Sequence, residues 1–156
     1  MSIKKDELGI SILIPLAIGA ISGFLTNNAM EAFRMKKQPP LSPPGWLFPV
    51  VWTILYILMG VASYIIYQKS KGTDEGKTAL RFYGIQLFFN FFWSVFFFNL
   101  EWYLFALIWL LALLVFIIIT AIKFGKIDKT AAYLMIPYIL WVTFAGYLNL
   151  GVYLLN

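Results

Sequence analysis

Hydrophobic residues in this chain fall into five long runs, at about positions 8–25, 46–67, 80–98, 103–122 and 131–154, separated by polar or proline-rich stretches. A helix needs about 20 apolar residues to cross the hydrocarbon core of a bilayer. The pattern therefore predicts an all-α fold, an integral membrane bundle of five transmembrane helices in a single domain over residues 1–156. The first run follows Lys4, Lys5, Asp6 and Glu7. A basic start and an apolar core also fit a secretory signal, but the run is long for one, which favours an uncleaved span. Gly19 and Gly23 within it form a small-residue pair suited to a close helix neighbour. Residues 26–45 read as a long connecting loop, and loops of that length tend to be functional or disordered. Pro39, Pro40, Pro43 and Pro44 fix φ and remove backbone donors, so this stretch is expected to form an extended lid over the bundle.

Polar and aromatic residues inside the runs are spaced at three and four residues, which places them on shared helix faces. Trp52, Tyr56 and Gly60 recur every fourth residue in the second run. Gln86, Asn90 and Ser94, with Trp93, make a stripe in the third, which should point away from lipid. Tyr138, Trp141, Ala145 and Leu148 share a face of the fifth, with Asn149 beside them. The fourth run is almost wholly aliphatic apart from Phe and Trp109, and reads as scaffold. Pro137 removes an interior donor and predicts a bend.

Composition narrows the chemistry. The chain of 156 residues is 62% hydrophobic and only 12% charged, too little polar surface for a soluble domain. It contains neither Cys nor His, which removes the usual zinc, haem-ligand, thiol and imidazole chemistry. All seven acids lie in loops or at run ends, against proton-coupled transport and paired-carboxylate hydrolysis. No phosphate-binding loop is present. The net charge of +5 comes from residues in the connections, so it reads as membrane topology and not as nucleic-acid binding. Lys4, Lys5, Lys69, Lys71, Lys77, Arg81, Lys123, Lys126 and Lys129 fall on one side, against Arg34, Lys36 and Lys37 on the other. That bias predicts a cytoplasmic N-terminus in a bacterial cell membrane, with the proline loop outside.

What remains inside the membrane is aromatic rings and neutral hydrogen-bonding groups. Trp52, Tyr56, Asn90, Trp93, Ser94, Trp141 and Ala145 are expected to converge on one apolar cavity for a flat, greasy ligand with a few polar atoms. Trp and Tyr also anchor helices at membrane interfaces, and Trp46 and Trp102 stand at run ends where that role suffices. For Asn90 two roles stay open, a pocket wall and a helix–helix bond.

The run Pro43-Pro44, Trp46, Phe48, Val51-Trp52, Leu55-Tyr56, Met59-Gly60 resembles the second-helix signature of the TspO/MBR family, the tryptophan-rich sensory proteins that include the translocator protein. Gln86-Leu87, Asn90, Trp93-Ser94 and Pro137-Tyr138, Trp141, Phe144-Ala145, Leu148-Asn149 resemble its third and fifth helices. The resemblance implies a five-helix protein, a homodimer, that binds porphyrins such as protoporphyrin IX under its first loop, as sensor, buffer or transporter and with no cofactor required. It places Phe33, Pro43, Phe48, Trp52, Tyr56, Asn90, Trp93, Ser94, Trp141 and Ala145 at ligand-binding positions. It also implies a possible enzyme-like role, light- and oxygen-dependent porphyrin degradation at Trp52 and Trp141. A structural or regulatory membrane partner is the third reading. Arg34, Lys36 and Lys37 stand where porphyrin propionates would reach, and as loop cations they also fit plain solvation. Two departures are Leu41, where the family commonly has Trp, and the lack of a basic residue after Tyr153, which leaves sterol binding little support; Val61, Tyr64 and Lys69 meet only the loose sterol pattern.

Overall fold

The computed structural model describes residues 2–156. Those residues form five α-helices: α1 (Lys5–Arg34), α2 (Leu47–Lys69), α3 (Asp74–Ser94), α4 (Tyr103–Ile127) and α5 (Lys129–Leu155). A short π-helical segment, Val95–Asn99, continues α3. The helices pack in the circuit α1–α2–α5–α4–α3 and back to α1. α1, α2, α4 and α5 are each long and apolar enough to cross a membrane. α3 is more polar, because Asp74, Glu75, Lys77 and Arg81 fill its first turns and Gln86, Asn90 and Ser94 its inner face. It nevertheless runs the height of the bundle: Tyr83 near its start meets Phe124 at the end of α4, and Phe97 just beyond it meets Phe33 near the end of α1.

The first connection is shorter than the sequence pattern suggests. Residues 26–34 are helical and belong to α1, so the lid begins at Met35. The polar residues that look like a loop are instead one face of a helix: Thr26, Asn27, Glu31 and Arg34, with Met30, recur at three- and four-residue spacing and border a cavity. The small-residue pair also divides. A side chain at Gly19 would run into the Tyr56 ring, whereas at Gly23 it would meet nothing within 4 Å. α1 and α5 continue through Pro15 and Pro137 without a break.

One half of the bundle is solid. Met59, Ile66, Leu113, Ile117, Phe124 and Met135 are buried there between α2, α4 and α5. The opposite surface of the helices is apolar and exposed, with Leu13, Phe24, Ile108, Val115 and Leu140 turned outward, as lipid contact requires. Charges gather at the two ends. Glu7 accepts from Gln68 and lies 3.8 Å from Lys71, and Asp128 pairs with Lys69 at the solid end. Lys36 pairs with Glu101 at 3.2 Å at the lid end.

Asp128 also caps α5, accepting from the Ala131 N–H at 3.2 Å. Its carboxyl is held below the ordinary carboxylate value, first by the Lys69 hydrogen bond, against a partial opposing effect of desolvation. A carboxyl lowered on folding contributes fully above its unfolded pKa of about 4 and loses that contribution as the pH falls through the folded value. Asp128→Ala is therefore expected to cost about 1 kcal/mol at neutral pH. Asp128→Asn should keep the cap and lose the acid-side dependence, which melting curves between pH 3 and 7 would check.

Candidate functional site

The lid half of the bundle is hollow. A cavity of about 1080 Å³ lies between α1, α2, α3 and α5 beneath the loop, at the upper end of what small-molecule sites occupy. All ten residues picked from the sequence border it: Phe33, Pro43, Phe48, Trp52, Tyr56, Asn90, Trp93, Ser94, Trp141 and Ala145.

The aromatic wall is built from α2 and α5. Four-residue spacing stacks Trp52 on Tyr56, with ring centroids 5.6 Å apart and planes at 27°. Trp52 meets Trp141 edge to face at 6.5 Å and 88°, and Phe48 meets Trp141 at 5.8 Å and 67°. These rings hold one another in edge-on and offset contacts that aromatic quadrupoles favour. The Trp141 Nε1–H is buried and has no acceptor. A buried donor left unpaired costs about 1–3 kcal/mol, and among the described residues Trp141 is the one of the cavity wall that carries such a donor. Ala145, one turn further along α5, keeps the wall shallow.

The floor is a directed chain of hydrogen bonds. Tyr56 Oη donates to Asn90 Oδ1 at 2.8 Å, Asn90 Nδ2 donates to Tyr138 Oη at 2.7 Å, and Tyr138 Oη donates to Gln86 Oε1 at 2.6 Å. Asn90 is thus both a cavity residue and the bond that ties α2, α3 and α5 together. Tyr138 and Gln86 do not border the cavity, and the stripe rule alone did not separate them from the residues that do. Trp93 stacks on Phe97 at 5.1 Å and donates to Asn149 Oδ1 at 3.1 Å, while Asn149 Nδ2 donates to the Tyr103 carbonyl at 2.8 Å.

α1 supplies the fourth wall, which sequence reasoning missed. Its signal was present in Gly19, Ser22, Gly23 and Thr26, small or polar residues at helical spacing in or at the end of an apolar span. Ser94 Oγ donates to the Phe91 carbonyl, which leaves Ser22 Oγ to donate to Ser94 Oγ at 2.5 Å. Phe33 sits at the rim, packed on Phe97 and Phe98. Of the three lid-side cations only Arg34 borders the cavity; Lys36 pairs with Glu101, and Lys37 is exposed with its backbone tied to Asn156.

The lid spans Met35 to Trp46 and is fastened to the end of α5. Tyr147 Oη donates to the Pro40 carbonyl at 2.7 Å. Asn156 Nδ2 donates to the Lys37 carbonyl at 2.8 Å, and its Oδ1 accepts from the Lys37 N–H at 3.2 Å. Pro39 is buried against Gly151, where a side chain would collide with its ring. Leu41 has φ of 69° and is 83% exposed, so its side chain faces outward and adds no ring to the cavity.

Such a site can stack a flat molecule, donate one N–H to it and offer one guanidinium at the rim. Among the described residues no group of His, Cys, Asp or Glu is arranged to hold a metal ion. The sequence profile of the TspO/MBR family matches residues 11–155. The chain is 37% identical to the tryptophan-rich protein TspO of Chlorobaculum tepidum, over 96% of this chain and 95% of that one. It is 35% identical to the translocator protein of Bos taurus, over 88% of this chain and 82% of that one. It is 33% identical to Protein CrtK of Rhodobacter capsulatus, over 77% and 75% respectively.

Proposed function

The chain belongs to the TspO/MBR family of integral membrane proteins, and from that membership and the shape of its cavity we propose that it binds porphyrins of the protoporphyrin IX kind as a sensor, buffer or transporter. The observation that carries this reading is the aromatic cavity itself. It has flat walls from Trp52, Tyr56, Trp93 and Trp141, one buried donor without a partner at Trp141, and a cation, Arg34, at its mouth. A macrocycle presents the matching groups: extended π faces, ring nitrogens and peripheral carboxylates. No cofactor is required in this reading. The N-terminus faces the cytoplasm of a bacterial cell, as the distribution of basic residues favours. The homodimer rests on the family resemblance alone.

Titrating protoporphyrin IX in the dark into purified protein should give saturable binding by tryptophan quenching. The Trp52→Phe/Trp141→Phe variant, followed by calorimetry because the quenched rings are gone, should bind about tenfold more weakly, a loss of about 1.4 kcal/mol. Absence of saturable binding to the native chain would overturn the assignment. A second reading, light- and oxygen-dependent breakdown of the bound porphyrin, is favoured by the placement of both indoles on one wall, 6.5 Å apart. Illumination of the same samples separates the two: bleaching that needs the indoles supports breakdown, and equal bleaching leaves a binder.

A further inference from the structure

The four walls are not equally closed. α1 and α2 touch at Gly60, where the α2 backbone lies on Ser11 and Ile12, and again where Gly19 receives the Tyr56 ring. One turn nearer the lid, the side-chain position at Gly23 has no atom within 4 Å. From there α1 leans on the other side of the bundle: Ser22 bonds Ser94, Asn99 donates to the Leu25 carbonyl, and Phe33 packs on Phe97 and Phe98. Above Gly19 the hydrogen-bond and ring partners of α1 lie on α3 and the segment after it, and the space beside Gly23 belongs to the cavity. Ala20 and Asn27 on α1 and Thr53 on α2 border the cavity and are nonetheless exposed. Glu31, Arg34, Gly45, Trp46 and Pro49 share both properties, and no lining residue of α3 or α5 does, so the open side of the cavity is the α1–α2 side.

Below its polar lid end, marked by Asn27, Glu31 and Arg34, the opening faces apolar surroundings. Ile21 and Phe24 flank it on α1, and Val50 and Ile54 on α2, all exposed. Such a rim suits acyl chains and not water. The lid offers a costlier way in, since lifting it breaks the Tyr147 and Asn156 hydrogen bonds and unseats Pro39 from Gly151. We propose that the α1–α2 cleft is a lateral portal through which a flat apolar ligand dissolved in the bilayer enters and leaves the cavity while the lid stays fastened. This rests on the reading of the cavity as a porphyrin site.

The test uses the full chain in liposomes, mixed rapidly with vesicles carrying protoporphyrin IX and followed by tryptophan quenching. Ile21→Trp and Ile54→Trp each narrow the cleft from a different lip, at exposed rim positions outside the cavity lining that should not disturb folding. Both are expected to slow association and dissociation about tenfold, with the dissociation constant unchanged within about twofold, because an obstructed passage alters rates and not the bound state. Tyr147→Phe, which releases one lid bond, should leave both rates as they are. Unchanged rates in the two lip variants, or faster exchange in Tyr147→Phe, would overturn the portal. So would a loss of affinity at unchanged association rate, which would make the lips part of the binding wall. If the native chain takes up no protoporphyrin at all, the porphyrin reading fails and the portal falls with it; uptake with unaltered rates sinks the portal alone.

Discussion

Asn90→Leu is expected to lower the stability of the bundle by about 2 kcal/mol, the larger part of it from hydroxyls left behind and not from the amide removed. In the native chain the Asn90 amide accepts from Tyr56 and donates to Tyr138, so leucine leaves one buried hydroxyl without an acceptor and the other without a donor. Each such group costs about 1–3 kcal/mol in an apolar interior. Measured bonds between membrane helices average nearer 0.6 kcal/mol, because the separated helices also find partners. The lower end of the combined range is the expected outcome. For a chain of this size that is a fall in melting temperature of about 4–8 °C in detergent. Tyr56→Phe should cost less, about 1 kcal/mol, because it strands one group, the Asn90 carbonyl oxygen, and not two. Equal losses in the two variants would show that the bonds do not act as a chain.

Gly60→Ala is expected to destabilise by about 2 kcal/mol, although alanine is the better helix former by about 1 kcal/mol. The added methyl would lie 2.7 Å from the Ile12 Cα and 2.8 Å from the Ser11 carbonyl oxygen. Both are backbone atoms, which no rotamer change can move aside, so α1 itself must shift. Gly60→Leu should prevent α1 from seating on α2 and expose the cavity along its whole side. Gly23→Ala is the contrasting case: with nothing near the new methyl, only propensity acts, and the variant should be more stable by up to about 1 kcal/mol. Thermal unfolding of the three variants in one detergent would check the signs; a stabilised Gly60→Ala would mean that the α1–α2 contact is looser than described.

Much of this arrangement is readable from the chain because its signals are local. Apolar runs give the five helices, and four-residue spacing puts Trp52 on Tyr56. What escaped was decided by contacts distant in sequence. Residues 26–34 carry too many polar groups to pass as a membrane span, and nothing local says that their polar face will look into a cavity. Gly19 and Gly23 look like one motif in the sequence, yet only Gly19 has a partner, because Gly23 borders the cavity. Asn90 could be placed on an inward face, but its two tyrosine partners come from helices 34 and 48 residues away. Two of the lid-side cations looked like ligand contacts by position, while the fold gives Lys36 to Glu101 and leaves Lys37 exposed outside the cavity.

The fastening of the lid also sets an order on how the protein is made. Its anchors join residues 107 and 119 positions apart, linking the first connection to the end of the last helix. As the chain leaves the ribosome, α1 to α4 enter the membrane before any of those anchors exists, and such long-range closures come late in folding. The cavity is therefore roofless until α5 has been made, and it gains its fastened lid only with the arrival of that helix.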